Sequence, residues 1–303
     1  MAPVARAQAP AATMDAAVLA SPGEFRVERI RRPEPGPGQV LVRIEGCGIC
    51  GSSLPVWHGR PWFAYPLEPG APGHEAWGFV EELGEGIDRW LRGRPVAMLA
   101  SRALAQYDLA RADEVVALPP ELEIVPFPGE ALACVVNAFR RSGVESGRTV
   151  AVVGMGFFGT AVAQLARAAD AEVVEIRRDT DWSRWRERCD VVLEAAGTQE
   201  ALDAAAALVR TRGRLVIAGF HQDGPRSVDL RSWNWRGLDV VNAHERDPRV
   251  YVTGMRDAVA FAVAGTFDLD ALLTHRFALA EVGEAFSAAA RRSPGFVKAW
   301  VAP

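Results

Sequence analysis

The chain of 303 residues contains little cysteine, histidine or tyrosine. It has four cysteines, five histidines and three tyrosines, and the cysteines are Cys47, Cys50, Cys134 and Cys189. Four cysteines are too few to hold a chain of this length together through disulfides, which excludes a small disulfide-rich scaffold. In a reducing compartment the thiols would stay available as thiolates or metal ligands.

Long apolar runs and blocks of positive charge are also missing. No run approaches the roughly 20 apolar residues that cross a bilayer, and residues 1–13 lack the hydrophobic centre of a signal peptide. The 34 basic residues stand against 38 acidic ones, for a net charge of -4, with no basic stripe that could displace counterions from nucleic acid. We therefore expect a soluble, cytoplasmic protein that binds neither nucleic acid nor membranes.

The pattern of predicted elements changes once along the chain, which suggests two domains of an α/β protein. Up to about residue 120, short β-like runs alternate with Gly and Pro, and the clearest strands are 40–45, 77–82, 94–99 and 115–118. From Gly129 onward, the spacing predicts strands and helices of a parallel sheet. The strands are 149–153, 172–176, 191–194, 215–218 and 238–241, and the helices are 160–169, 199–209 and 250–263. The last segment predicts a short strand at 277, a helix at 279–291 and a strand at 296–301.

The loop between the first strand and helix of this parallel region is rich in glycine. Gly154, Gly156 and Gly159 fit the G-x-G-x-x-G pattern of dinucleotide-binding loops. The first glycine can make the tight turn, the second lets a pyrophosphate approach, and the third lets helix and sheet pack closely. The backbone of the loop, including Phe157 and Phe158, would then meet the phosphates at a helix N-terminus. The alternative is a glycine-rich turn without a ligand.

The end of the next strand indicates which nicotinamide nucleotide binds. An acidic residue is expected there for NAD, since it accepts hydrogen bonds from the ribose hydroxyls. This chain has Arg177 and Arg178 instead, and two guanidinium groups suit a 2′-phosphate. The pair therefore favours NADP(H) over NAD(H). The alternative is that the arginines pair with Asp179 and Asp181 at the surface.

A set of potential metal ligands lies in the β-rich half. Cys47 and Cys50 form a C-x-x-C pair, and His74 and Glu75 follow about 25 residues later. Sulfur, imidazole and carboxylate ligands suit zinc. A redox role for the cysteine pair is a weaker interpretation, because the pair does not open a helix in a thioredoxin-like unit. A structural site of four cysteines is excluded by the cysteine count.

Three motifs, in this order and spacing, resemble the zinc-dependent medium-chain alcohol dehydrogenase family, nearest its polyol and threonine dehydrogenase branch. They are VRIEGCGICGSS at 42–53, GHE at 73–75 and GMGFFG at 154–159, and the resemblance runs from about residue 15 to the end of the chain. It implies a GroES-like catalytic domain, residues 1–134 completed by 265–303, that encloses a Rossmann NADP-binding domain, residues 135–264. It also implies a homodimer with zinc in the cleft between the domains.

The resemblance assigns roles to individual residues around this zinc. Cys50 and His74 match the cysteine and histidine ligands of the family. Glu130 matches the third ligand, because members carry Cys, Asp or Glu there and a catalytic zinc needs three protein ligands. Glu75 is expected beside the metal, either as a supporting group or exchanging with water. The alternative for Glu130 is an acid favoured at a helix start.

Further residues are implied near substrate and cofactor. Ser52 matches the position that touches the substrate oxygen and passes its proton, although it could simply cap a turn. Cys134 and Gly197 are expected near the cofactor, with a small buried hydrophobic residue as the alternative for Cys134. The implied reaction moves a hydride between NADP(H) and an alcohol or carbonyl substrate. A zinc-free quinone or enoyl reductase and a non-catalytic NADPH-binding protein remain alternatives.

The chain departs from the family pattern in several places. Ser53 stands where members carry an aspartate that supports the histidine ligand. Pro55 stands where some members carry a histidine that relays the proton, and the nearby His58 is a weak candidate to replace that histidine. No cysteine lies between His74 and Cys134, so we expect one zinc and no structural zinc. The segment 178–190 is short, and we expect a single helix at 181–188 and a five-stranded parallel sheet.

Several aromatic and histidine residues have no assigned role in this scheme. Trp57, Trp62, Phe63 and Trp77 lie around the metal motifs and could line a substrate pocket or fill the β core. Trp233 and Trp235 are expected at a subunit or cofactor edge. His221, His244 and His275 have no recognisable motif partner, and the polar segment 244–247 is only a weak site candidate.

Overall fold

The computed structural model describes residues 12–222 and 224–303. Most of the start of the chain, where we predict no signal peptide, therefore lies outside the described residues. Within the described part, no helix has both the length and the apolar character needed to cross a membrane.

The first part of the chain is built from antiparallel strands and short turns. Its elements are β1 (Thr13–Ser21), β2 (Glu24–Arg31), β3 (Gln39–Gly48), α1 (Leu54–Trp57), β4 (Glu75–Leu83), β5 (Pro95–Leu99), β6 (Tyr107–Arg111) and β7 (Val115–Ala117). Strands β1 and β2 form a separate hairpin. Strand β3 pairs with both β4 and β6. The four strands predicted in this half are all present.

A five-stranded parallel sheet follows, flanked by helices. Its region contains α2 (Gly129–Ser142), β8 (Thr149–Val153), α3 (Phe157–Ala168), β9 (Glu172–Ile176), β10 (Cys189–Glu194), α4 (Gln199–Leu208), β11 (Val209–Ile217), α5 (Leu230–Arg236), β12 (Asp239–Asn242) and α6 (Pro248–Val263). The strand order is β12-β11-β10-β8-β9, so the direction of winding reverses between β8 and β10. This doubly wound sheet confirms the predicted α/β fold with five strands.

The end of the chain returns to the first sheet. Its elements are α7 (Leu269–Leu272), β13 (His275–Ala278), α8 (Val282–Arg291) and β14 (Ala299–Ala302). Strand β14 pairs antiparallel with β3, with Trp300 opposite Gly48 and Val301 opposite Cys47. The result is a seven-stranded sheet in the order β13-β14-β3-β4-β5-β7, with β6 on β3. The first and last segments of the described chain therefore share one sheet.

Helix α2 joins the two sheets. Leu132 and Val136 are fully buried in one core cluster with Ala97 of β5 and Val150 of β8. The boundary that we predict after residue 134 falls inside this helix, so the domain division stays a prediction. Because α2 packs on both sides, side chains on it lie close to the ends of both sheets.

Two predicted helices differ from the structure. Helix α3 begins at Phe157, three residues earlier than expected, because Gly156 already takes the extended conformation that precedes a helix. The helix predicted at 181–188 is wrong, because only a single 3-10 turn forms at Ser183–Trp185. Asp181 accepts a hydrogen bond from the Ser183 backbone, and the indoles of Trp182 and Trp185 pack against the sheet core.

Candidate zinc and dinucleotide site

The potential metal ligands converge at one end of the seven-stranded sheet. Cys50 lies just after β3, whereas His74 immediately precedes Glu75, the first residue of β4. Because β3 and β4 are antiparallel, with Gly48 opposite Glu75, the two segments meet. One ligand atom from each of Cys50, His74 and Glu75 lies within 4.8 Å of the others. These three residues are the compact donor cluster of the described chain.

A backbone carbonyl orients the His74 ring. Its Nδ1 lies 2.9 Å from the Pro72 oxygen, and since a carbonyl only accepts, Nδ1 carries the hydrogen. In the neutral ring the lone pair therefore lies on Nε2, from which a metal would displace the proton. The Pro72 carbonyl thus orients the ring, a role that the resemblance assigns to an aspartate at the position of Ser53. Burial lowers the pKa of His74, but its interactions with Cys50, Glu130 and Glu75 outweigh burial and raise that pKa to about 10.

Glu130 and Cys134 approach the same site from α2. They are one helical turn apart, and the Cys134 Sγ lies 3.5 Å from Glu130 Oε1. Glu130 is not within the compact donor cluster, yet its charge acts on His74. Burial raises the pKa of the Glu130 carboxyl and of the Cys134 thiol. The Tyr251 hydroxyl of α6, which sequence reasoning missed, donates a hydrogen bond of 3.1 Å to the Glu245 carbonyl and also acts on the pKa of the Cys134 thiol.

Ser52 also lies at the cluster. It belongs to a short 3-10 turn, Gly51–Ser53, whose N-cap is Cys50. The Ser52 hydroxyl donates a hydrogen bond of 3.1 Å to the Cys50 sulfur. His58 is exposed and stacks edge-on against Trp57 at 4.8 Å. No hydrogen bond between His58 and Ser52 forms in the described chain.

Lys298, just before β14, completes the site and was missed by the sequence reasoning. Its ammonium Nζ lies 2.9 Å and 2.7 Å from the two Glu75 oxygens and 3.4 Å from the Ile49 carbonyl. The Phe157 ring, at the start of α3, lies 4.2 Å from the same nitrogen. Burial alone would lower the pKa of Lys298, but Glu75 and Cys50 outweigh it and that pKa is raised. The sequence offers one indication of a special role for Lys298, because it is the single lysine of the chain.

The glycine loop has the predicted geometry. Gly154 has φ +99°, and a Cβ there would meet Ala196 at 2.7 Å. A Cβ on Gly159 would lie 1.9 Å from the Gly154 oxygen, so helix and loop are in close contact. Gly156 faces open space, and no side chain caps the first N–H groups of α3. The loop therefore presents unpaired donors to an anion.

The two arginines after β9 do not make the alternative surface pairs. Arg177 instead contacts Glu175, with its Nη2 3.0 Å from Oε2. Glu175 also binds Arg167, which together with Arg177 lowers the pKa of that carboxyl. Within the described residues, neither Arg177 nor Arg178 forms an ion pair with Asp179 or Asp181, and both arginines are exposed.

The four aromatic residues near the metal motifs do not form one pocket. Trp77 is 5% exposed and packs against Trp300 in the β core, with ring centroids 5.4 Å apart. Trp57 packs against Phe286 of α8. Trp62 and Phe63 are exposed and contact each other at 6.0 Å. The core interpretation therefore holds for Trp77, and Trp62 and Phe63 are surface residues.

Comparison with known proteins agrees with this architecture. Residues 36–178 match the alcohol dehydrogenase GroES-like domain. Human sorbitol dehydrogenase is 25% identical, covering 89% of this chain and 90% of the relative. L-galactonate-5-dehydrogenase of Escherichia coli (strain K12) is 24% identical, covering 90% and 94%.

Solved structures show the same fold. A protein described as a zinc-binding dehydrogenase, from Sinorhizobium meliloti 1021 and bound to NADP, superposes with a TM-score of 0.83 at 26% identity, covering 96% of this chain and all of the other. A thermostable alcohol dehydrogenase from Pyrobaculum aerophilum has a TM-score of 0.81 at 24% identity, covering 96% of this chain and 100% of the other.

The fold, the donor cluster and these likenesses define a class of oxidoreductase. Over most of its length the chain is similar to polyol, alcohol and zinc-binding dehydrogenases.

Proposed function

We propose that this protein is a zinc-dependent oxidoreductase that transfers a hydride between NADP(H) and an alcohol or carbonyl substrate. The substrate is a secondary alcohol or ketone, or a primary alcohol or aldehyde. The observation that carries the proposal is the convergence of Cys50, His74 and Glu75 on a site that Lys298 connects to the glycine loop. Residues 1–134 with 265–303 form the catalytic domain in this proposal, and residues 135–264 bind the cofactor.

The donor chemistry of the cluster fits zinc. Thiolate, imidazole and carboxylate are the ligands that zinc takes in catalytic sites. Cys50 and His74 would be the first two ligands, and Glu130, from α2, would be the third. Glu75, which Lys298 holds, would lie beside the metal. A zinc ion bound there would supply Lewis-acid polarisation of the substrate oxygen.

The chain's own groups hold the cofactor and move the proton. Backbone N–H groups at the start of α3 bind the pyrophosphate, and Arg177 and Arg178 bind the 2′-phosphate. Gly197 and Cys134 would border the nicotinamide half of the cofactor, whose chemistry when bound would be hydride transfer. Ser52 Oγ, now donating to Cys50, can turn its hydrogen bond to the substrate oxygen and carry its proton.

The zinc part of the proposal is tested by metal analysis of protein purified without chelator. We expect about one zinc per chain in the wild type and a large loss of zinc and activity in Cys50→Ala, because a thiolate ligand is removed. Cys189→Ala is the matched control, since Cys189 is buried at the start of β10. Zinc-free protein together with unchanged activity in Cys50→Ala would reject zinc dependence.

The substrate class is tested by following NADPH oxidation over ketones, aldehydes, keto-sugars and enones. We expect turnover of carbonyl compounds, because the donor cluster is suited to polarising a carbonyl oxygen. Turnover of enones alone would favour the zinc-free reductase instead. Binding of NADPH without any turnover would favour a non-catalytic role.

The cofactor preference is tested in the double variant Arg177→Ala/Arg178→Ala. We expect the KM for NADPH to rise roughly tenfold or more, with little change for NADH, because only NADPH carries the 2′-phosphate. Arg167→Ala is the control, since it also contacts Glu175 but lies at the far end of α3. Equal effects on both cofactors would contradict the assignment.

A further inference from the structure

A buried carboxylate lies at the end of the central strand, outside the zinc cluster. Glu194 is the last residue of β10 and is fully buried. Its Oε1 accepts hydrogen bonds from the Ala196 and Gly197 backbone N–H groups, at 2.8 Å and 2.7 Å. Its Oε2 lies 2.8 Å from His221 Nε2. The zinc proposal gives this carboxylate no task.

Arg226 fixes the state of the His221 ring. The Arg226 Nε–H lies 3.0 Å from His221 Nδ1, and because an arginine only donates, Nδ1 must carry a lone pair. Nε2 therefore carries the hydrogen and donates it to Glu194. Arg226 also donates to the Gly197 carbonyl at 2.9 Å. We call Glu194, His221 and Arg226 the loop relay.

The loop relay joins two loops at the carboxyl ends of the parallel strands. Glu194 ends β10 and Gly197 belongs to the loop that follows it, whereas His221 and Arg226 belong to the loop after β11. The two loops are in close contact, since a Cβ on Gly219 would lie 2.3 Å from the Gly197 nitrogen. Their relative position thus depends on the relay and on these glycines.

The loops after β10 and β11 lie where the nicotinamide half of a dinucleotide would bind. Ligands of doubly wound sheets bind at the carboxyl ends, across the point where the strand order reverses, here between β8 and β10. A dinucleotide bound in this way would have its adenine half over β9, near Arg177 and Arg178, and its pyrophosphate at α3. Its nicotinamide half would cross to β10 and β11, where the loop relay lies.

We propose that Glu194, His221 and Arg226 are positioning residues that hold these two loops against the nicotinamide half of the cofactor. This inference rests on the proposed function. These residues are suited to the task because the His221 ring is hydrogen-bonded on one side to the Glu194 carboxylate and on the other to the Arg226 guanidinium. Hydrogen bonds to charged groups are strong, and together they fix the orientation of the ring. Loops fixed in advance lose less conformational entropy when the cofactor binds.

Binding of two ligands to His221→Phe and Glu194→Gln tests the relay. NADPH spans the whole cleft, whereas adenosine 2′,5′-bisphosphate occupies only the adenine half. We expect affinity for NADPH to fall roughly tenfold or more, while affinity for the bisphosphate changes by less than about twofold. In Glu194→Gln the amide would donate to the ring, leaving Nδ1 protonated and facing the Arg226 donor.

Three further variants separate positioning from simple destabilisation. Arg236→Met removes a buried arginine that donates to Ala206 and Val209 at the opposite end of the same sheet. It should lower thermal stability without changing the ratio of the two affinities. His221→Gln, which keeps a donor for Glu194, should recover part of the NADPH affinity. Arg226→Gln tests the half-buried end of the relay if Glu194→Gln does not fold.

The outcomes distinguish the two proposals. If the relay variants lose affinity for NADPH and for the bisphosphate equally, or lose no affinity for NADPH, the positioning role of the relay is rejected. The proposed function is unaffected by either result. A wild type that binds neither NADPH nor NADH overturns the proposed function, and the relay with it. A raised KM for NADPH with a nearly unchanged kcat at saturating cofactor supports positioning.

Discussion

Lys298 is buried among groups that a lysine can contact at the same time. The chain has 33 arginines and this one lysine, and its side chain is only 5% exposed. A compact ammonium can approach both Glu75 oxygens, a carbonyl and the Phe157 ring at once, whereas a planar guanidinium needs more room. Lys298 is therefore matched in charge and size to the space between the donor cluster and the glycine loop.

Removing this ammonium should destabilise the metal-free protein. In Lys298→Met, Glu75 is left as a buried carboxylate without its counter-charge, and the expected loss in the free energy of unfolding is about 3 kcal/mol. Urea unfolding in the presence of a chelator measures it. The double variant Glu75→Gln/Lys298→Met is the control, and it should lose less than the sum of the two single changes. A Lys298→Met protein as stable as the wild type would contradict the pairing.

At the scale of elements, the strands and helices follow local sequence closely. The bounds of β8 and β9 are those predicted, because each is a short apolar run between clear breaks. The helix expected at 181–188 does not form, because its two indoles gain more by packing against the sheet than a short surface helix would offer. Local propensity is overridden where tertiary packing is strong.

The glycine loop offers a matched pair of substitutions. In Gly156→Ala the new methyl group meets no protein atom within 4 Å, so thermal stability should hardly change. NADPH affinity should nevertheless fall, because the methyl group occupies the space that the pyrophosphate approaches. In Gly159→Ala the methyl group would lie 1.9 Å from the Gly154 oxygen, and both stability and affinity should fall.

Thermal unfolding with and without NADPH, together with titration of NADPH, measures both effects. An unchanged NADPH affinity in Gly156→Ala would show that the loop does not face the pyrophosphate. An unchanged melting temperature in Gly159→Ala would contradict the close contact between the loop and α3.

At the scale of the whole molecule, one edge of the parallel sheet is exposed. Strand β12 is one of the two edge strands of this sheet, with Val240 39% exposed. Leu230 and Trp235 on the neighbouring α5 are 58% and 90% exposed. An open strand edge beside large apolar side chains favours association with another chain, in keeping with the homodimer expected from the family resemblance.

A charge at this edge should therefore disrupt the assembly. We expect the wild type to be dimeric, and Trp235→Glu to be largely monomeric, because a carboxylate would have to be buried in the interface. Light scattering coupled to gel filtration measures the mass. Trp62→Glu is the matched control, since Trp62 is 58% exposed on the other sheet's side of the molecule. A monomeric wild type, or a dimeric Trp235→Glu, would rule out this edge.

The sequence alone determined the features that depend on short spacing. The α/β class, the glycine loop, the five-stranded sheet and the grouping of Cys50 with His74 all follow from motifs and from missing length. Tertiary structure decided the rest. Lys298 and Glu75 are 223 residues apart in the chain, and His221 and Glu194 are 27 apart. No local pattern marks such pairs, because burial and strand order bring them together, and only the folded chain shows which charges must neutralise each other.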